Sequence, residues 1–305
     1  MGGRQETGMG ALAWGLLLLL GLIWGGSFFF ARVAVQYVPP ITLVFLRLSL
    51  AAVALHVYIR GRFDIVGTLR LRWREFLVLG LINNALPHAL IFFGQKQMGA
   101  GLAAILNATT PMWTVLITNH FTDDEKLSSA KIAGCLVGLA GTAVLIGPSA
   151  ITPGEVPLWA LLLPVLAAVS YGFAATYAKR FKGTPAPVIA AGQLTASSLV
   201  MLPVSLLVDR PWTLPMPPLG PILAILGLAL LSTAFAYILF FRIMALAGAT
   251  NASLVTLLVP PSAILLGFLF LGERLGPLQL SGMLLIGAGL VILDGRLYHR
   301  LLSTT

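Results

Sequence analysis

Residues 12–34 read LAWGLLLLLGLIWGGSFFFARVA, and the only charge among them is Arg32. A helix crosses the hydrocarbon core of a bilayer with about 20 apolar residues. Lipid offers no partners to unpaired backbone groups, so a lone run of this kind has to be helical. Runs like it recur along the chain, with soft ends, over Leu12–Ala34, Ile41–Ile59, Phe76–Gly94, Gly99–His120, Ser129–Ile146, Val156–Tyr177, Pro187–Val208, Pro221–Phe241, Ala249–Leu271 and Leu278–Leu293. The expectation is an all-α integral membrane protein of ten transmembrane helices. Composition agrees: 58% hydrophobic against 10% charged leaves too little polar surface to cover a water-soluble fold of 305 residues.

The formal net charge of +9 points to nucleic acid only if it is clustered, and it is not. With the N-terminus in the cytoplasm, the inner segments hold Arg4, Arg60, Arg62, Arg70, Arg72, Arg74, Lys126, Lys131, Lys179, Arg180, Lys182, Arg242, Arg296 and Arg300. The outer segments hold Arg32, Lys96, Arg210 and Arg274, and Arg47 lies within the second span. That is the positive-inside pattern, with both termini cytoplasmic. A secretory signal is the alternative for the first run, but no small-x-small cleavage site follows promptly, because Gly26 and Ser27 lead into Phe28, Phe29 and Phe30. The one cysteine, Cys135, lies mid-span and reads as a packing residue.

The chain also repeats itself. At a shift of 149, Gly99, Ala100, Ala103, Pro111, Leu116 and Phe121 meet Gly248, Ala249, Ala252, Pro260, Leu265 and Phe270. At a shift of 148, Glu125, Leu127, Gly134, Ala140, Gly141 and Leu145 meet Glu273, Leu275, Gly282, Ala288, Gly289 and Leu293. Earlier in each half, Trp24-Gly25 and Ala31-Arg32 face Tyr171-Gly172 and Ala178-Lys179. Residues 1–150 and 151–305 are thus expected to be two five-helix repeats. Five is odd, so the second enters from the opposite face and the repeats are inverted.

These residues resemble the EamA-type transporters of the drug/metabolite transporter superfamily. The resemblance covers nearly the whole chain and rests on Trp24-Gly25-Gly26-Ser27, Pro40 through Arg47, Asn107-Ala108-Thr109-Thr110-Pro111 and Leu271-Gly272-Glu273, together with the repeat. It implies a multi-pass permease or exporter of the bacterial inner (plasma) membrane that moves small metabolites such as amino acids. It also implies a basket-like cavity lined by the first four helices of each half.

Within the spans, the polar groups deep enough to line such a pathway are Trp24, Ser27, Asn84, His88, Asn107, Thr110, Trp113, Tyr171, Gln193, Ser232, Thr233, Tyr237, Ser253 and Thr256. An intramembrane polar group is costly unless it faces protein or water. Pro111 and Pro260 match each other mid-helix and each frees a carbonyl four residues earlier, on Asn107 and Thr256. They read as hinges, as packing kinks whose freed carbonyls neighbouring hydroxyls satisfy, or as both. Asn84 and His88, four apart around Pro87, are expected on one helix face. His88 reads either as a substrate- or proton-handling group or as a neutral imidazole bonded to a neighbouring helix. Arg47 is expected to snorkel outward or to make a structural hydrogen bond, with attraction of a substrate carboxylate as the alternative. The Gly21/Gly25 and Gly134/Gly138 pairs suit close helix approach inside the bundle or at a dimer.

No G-x-x-x-x-G-K-[ST] loop is present to bind ATP. The ten acids, Glu6, Asp64, Glu75, Asp123, Asp124, Glu125, Glu155, Asp209, Glu273 and Asp294, all fall in loops or near helix ends. The acidic cluster Asp123-Asp124-Glu125 has no histidine-rich partner, which argues against a membrane-embedded enzyme and against a metal or other cofactor. The reading is a secondary transporter of a small-molecule substrate working by alternating access, with an enzyme or ion channel as alternatives. Nothing in the sequence selects the substrate, the direction of transport, the coupling ion or the oligomeric state.

Overall fold

A computed structural model describes residues 10–121, 129–151, 156–252 and 254–294, and among them there is no strand. The helices are α1 (Ala11–Ala34), α2 (Pro40–Ile59), the short α3 (Ile65–Leu71), α4 (Trp73–Gln95), α5 (Ala100–Phe121), α6 (Ser129–Ile151), α7 (Leu158–Ala178), α8 (Ala186–Val208), α9 (219–252), α10 (Val255–Leu271) and α11 (Pro277–Asp294). Seven of them are long and apolar enough to cross a membrane, and Lys131–Ile146, Val255–Leu271 and Pro277–Ile292 are shorter apolar helices. Outward faces carry large apolar side chains such as Leu18, Val57, Leu207 and Phe270, as lipid contact requires.

Helix α6 packs along α11, α1 along α10, α5 along α7 and α2 along α8; α4 lies against α7 and α8, and α9 against α1 and α2. Exchanging α1 with α7, α2 with α8, α4 with α9, α5 with α10 and α6 with α11 maps this set of contacts onto itself. Glycines permit the closest approaches. A Cβ on Gly25 would lie 2.8 Å from the Ala263 nitrogen and 2.9 Å from the Val259 oxygen of α10. One on Gly289 would lie 2.6 Å from the Gly138 nitrogen and 2.7 Å from the Gly134 oxygen. These small-residue pairs therefore serve packing inside the bundle.

Three helices, α4, α5 and α9, depart from the expected regular form, α9 through a π-helical stretch over Gly227–Phe235. Helix α4 contains a π-helical stretch, Leu81–Ala85, closed by Leu86 N–H donating to the Leu81 oxygen. Pro87 two residues on lacks the N–H that a regular α ladder would use. Helix α5 breaks between Ala100–Asn107 and Thr110–Phe121, so Pro111 sits in the first turn of a new segment rather than mid-helix, where its missing N–H costs nothing. Pro260 lies inside an unbroken α10, next to Pro261, and the two matched prolines thus play different local roles. Residues 249–252, expected to open the ninth span, belong instead to the preceding helix Ala236–Ala252.

On one face of the bundle the two halves are tied together. Thr42 donates N–H and Oγ1 to Asp209 Oδ2 at 2.7 and 2.8 Å, and its Oγ1 lies 2.9 Å from Ser205 Oγ. Within the first half, Arg32 donates to the Gln95 carbonyl. Gly272, at φ +67°, ends α10 in the left-handed conformation that glycine favours at a helix C-terminus, and Glu273 N–H returns to the Gly267 oxygen at 3.1 Å. That turn aims the Glu273 carboxylate at the start of α5, where it accepts from Ala100 N–H at 2.9 Å and Gly101 N–H at 3.3 Å. Glu273→Ala is expected to lower stability by about 1–2 kcal/mol, the usual cost of losing a helix cap. An unaltered unfolding temperature in detergent would show the cap to be dispensable. On the opposite face Arg72 pairs with Glu75, donates to Thr184 Oγ1 at 2.8 Å and to the Arg180 carbonyl at 2.7 Å, and lies 4.4 Å from the centroid of the Phe181 ring.

Candidate functional site

A cavity of about 360 Å³ lies between the halves, within the size range of small-molecule sites. Its wall comes from α1, α2, α4 and α5 on one side and α7, α9 and α10 on the other. Of the expected residues it gathers Trp24, Ser27, His88, Asn107, Thr110, Pro111, Tyr171, Ser232, Thr233, Tyr237, Thr256 and Arg47.

The wall is largely aromatic. Trp24 packs on Phe240 at 5.5 Å between centroids, His88 stacks on Phe92 at 6.1 Å, and Tyr171 meets His88 edge-on at 6.5 Å. Among the described residues, three cavity side chains carry a buried polar atom with no protein partner: His88 Nδ1, Gln95 Oε1 and Asn107 Oδ1. Such atoms are costly when left unsatisfied and are what a polar ligand or water would meet. The carbonyl that Pro111 frees is satisfied locally, since Thr110 Oγ1 donates to the Asn107 oxygen at 2.7 Å.

Some expected residues lie elsewhere. Asn84 is buried but does not line the cavity; Asn83 does. The π stretch inserts one residue per turn, so His88 shares its face with a residue five positions back rather than four. Gln193 stands behind the wall as a bridge, accepting from Asn83 Nδ2 at 2.8 Å and donating to Tyr237 Oη at 3.3 Å. The Trp113 backbone lies close to Gly172 of α7, and Trp113 does not line the cavity. Pro260 is buried in α10 without lining it. Ser253 and the cluster Asp123, Asp124 and Glu125 lie outside the described residues.

Arg47 does not snorkel. It is 8% exposed, donates Nε to Thr233 Oγ1 at 3.0 Å and holds its guanidinium 5.9 Å from the Phe92 centroid. Helix α2 is flanked by α8 and the π-helical part of α9, and the interior supplies both an acceptor and a ring. Thr233 presents that acceptor because its own hydroxyl donates five residues back, to the Leu228 oxygen at 2.8 Å, within Gly227–Phe235. Asn83, Gln95, Phe28, Phe92 and Phe240 were not anticipated as lining residues. Gln95 lies one residue beyond the expected third span, yet it is fully buried and donates Nε2 to the Phe28 carbonyl at 2.8 Å.

Comparison with known proteins adds to this picture. The model of the EamA-like transporter family matches the chain twice, over residues 12–147 and 158–293. An uncharacterized transporter of Bacillus subtilis, YoaV, is 25% identical over 88% of this chain and 92% of its own length. An uncharacterized inner membrane transporter of Escherichia coli K12, YedA, is 26% identical over 87% and 85%. A probable terminal-alkyne amino-acid exporter of Streptantibioticus cattleyicolor is 26% identical over 94% of each chain. One solved crystal structure has the same fold, with a TM-score of 0.64 at 22% identity over 93% of this chain and 97% of that one.

Proposed function

This chain belongs to the EamA-like transporter family, and from that premise we propose that it moves a small metabolite, an amino acid or related compound, across the bilayer by alternating access. The observation that carries the reading is the cavity itself, walled by helices of both halves and holding unpartnered polar atoms among aromatic rings. Ten spans in two inverted repeats, 1–150 and 151–305, are supported by the exchange symmetry of the helix contacts and by the double family match. The charge asymmetry supports cytoplasmic termini, and the relative named an inner membrane transporter supports a bacterial inner-membrane location. The relative named an amino-acid exporter supports the substrate class.

In this mechanism solute enters from one face, displaces water from His88, Gln95 and Asn107, and packs against Trp24, Phe92 and Tyr171. The halves then rock so that contacts close on the entry face and part on the other. The acids of the described segments lie at span ends, so the reading needs no intramembrane carboxylate.

The test is flux of radiolabelled amino acids and related metabolites in liposomes holding the purified protein, with and without an imposed pH gradient. Saturable flux supports a carrier, and its response to the gradient separates facilitated from proton-coupled transport. His88→Ala, Asn107→Ala and Thr256→Val are each expected to cut flux about tenfold, the equivalent of one lost hydrogen bond near the upper end of its usual worth, with folded yield kept. Normal flux in all three would move the pathway elsewhere.

A further inference from the structure

The substrate's chemistry is written most sharply at Arg47. Among the described residues it is the only guanidinium or ammonium in the cavity wall, about seven residues and so roughly 10 Å along α2 from its start. Its Nε is used by Thr233; among the described residues no other protein group accepts from its Nη1 and Nη2 fork. The titratable groups in its field are His88, Tyr171 and Tyr237, none of them an acid.

Four acids of the described segments are engaged elsewhere. Asp64 caps Gly67, Glu75 pairs with Arg72, Asp209 holds Thr42, and Glu273 holds the start of α5. A charge buried at this depth without a counterion is expensive, and such residues in membranes mark solute paths. A free guanidinium fork fits a carboxylate with two parallel hydrogen bonds. One cation matches one negative charge, which disfavours a dianionic phosphate. The rest of the wall is Trp24, Phe28, Phe92, Tyr171, Tyr237 and Phe240, suited to an apolar or aromatic body. Gln95 Oε1 is an unpaired acceptor whose identity is set by the Nε2 bond to Phe28, and it can take a donor such as an amine.

We infer that Arg47 is the anion-recognising residue of this cavity and that the transported solute carries a carboxylate on an apolar or aromatic body. This rests on the carrier reading above and names the charge its substrate must bear. The test uses full-length protein in liposomes and two matched probe series. The first is L-phenylalanine, 3-phenylpropionate, L-phenylalaninamide and phenethylamine; the second is L-leucine, 4-methylpentanoate, L-leucinamide and isoamylamine. Carboxylate-bearing members are expected to give saturable flux and to raise the unfolding temperature in detergent, while the amides and amines do neither.

Arg47→Gln is expected to raise the half-saturating concentration of the acids at least tenfold, and Arg47→Lys to raise it less. Flux of amides or amines equal to that of the acids overturns the inference and leaves the carrier standing, as does unchanged half-saturation in Arg47→Gln. Silence of every compound, from protein that elutes as a folded species, overturns the inference together with the carrier reading. Should Arg47→Gln fail to accumulate, the wild-type series and Arg47→Lys decide the matter alone.

Discussion

A disulfide between Thr42→Cys and Ser205→Cys is expected to abolish flux when oxidised and to release it again when reduced. The two hydroxyls lie 2.9 Å apart, which brings their Cβ atoms near the roughly 4 Å separation a disulfide needs. Thr42 stands on α2 and Ser205 on α8, one from each half, at the helix ends that Asp209 also ties. If the halves rock, this contact must part once per cycle, and a covalent bond here stops the cycle at that point. The native Cys135 is buried and can be replaced by serine to keep the chemistry single. Mass spectrometry of the intact chain reports the extent of closure, and liposome flux reports the consequence. Full flux through the oxidised protein would sink rocking at this interface and favour a fixed pore.

The second large effect is expected at Gly25, where leucine should remove the folded protein altogether. A Cβ there would lie 2.4 Å from Ser262 Cβ, 2.8 Å from the Ala263 nitrogen and 2.9 Å from the Val259 oxygen, none of them the far end of a flexible side chain. Overpacking a well-filled interior costs about 1–3 kcal/mol when side chains can yield. Here α1 and α10 would have to separate, so the cost is expected above about 3 kcal/mol. Gly15→Leu on the same helix is the control, because nothing lies within 4 Å of a Cβ there. Size-exclusion profiles and unfolding temperatures of the two variants make the comparison. A Gly25→Leu protein that elutes and unfolds like the wild type would disprove the close α1–α10 contact.

Much of the fold was legible because lipid is an unforgiving solvent. A run such as residues 12–34 has one way to satisfy its backbone, and the helices fall close to the expected spans. The repeat was legible too, since Pro111 and Pro260, or Glu125 and Glu273, stand at matching positions without any structure. The cavity was only partly readable. Trp24, His88, Asn107, Tyr171 and Thr256 were found because polar or amphipathic groups deep in a span have few places to go. Asn83 and Asn84 were exchanged because the expectation used the α period, and a single π turn rotates every residue before it by about 100° relative to those after it.

Sequence by itself determined the solvent and the helical form of the long apolar runs, because both depend on apolar length. Tertiary structure alone decided which face of each helix looks inward and what each polar group meets there. Gln193 became a bridge, Trp113 a residue outside the cavity, Gln95 part of the wall, and Arg47 an inward-facing cation. Those outcomes turn on which neighbour offers an acceptor or a ring within about 3–6 Å, a distance between helices that no local pattern encodes.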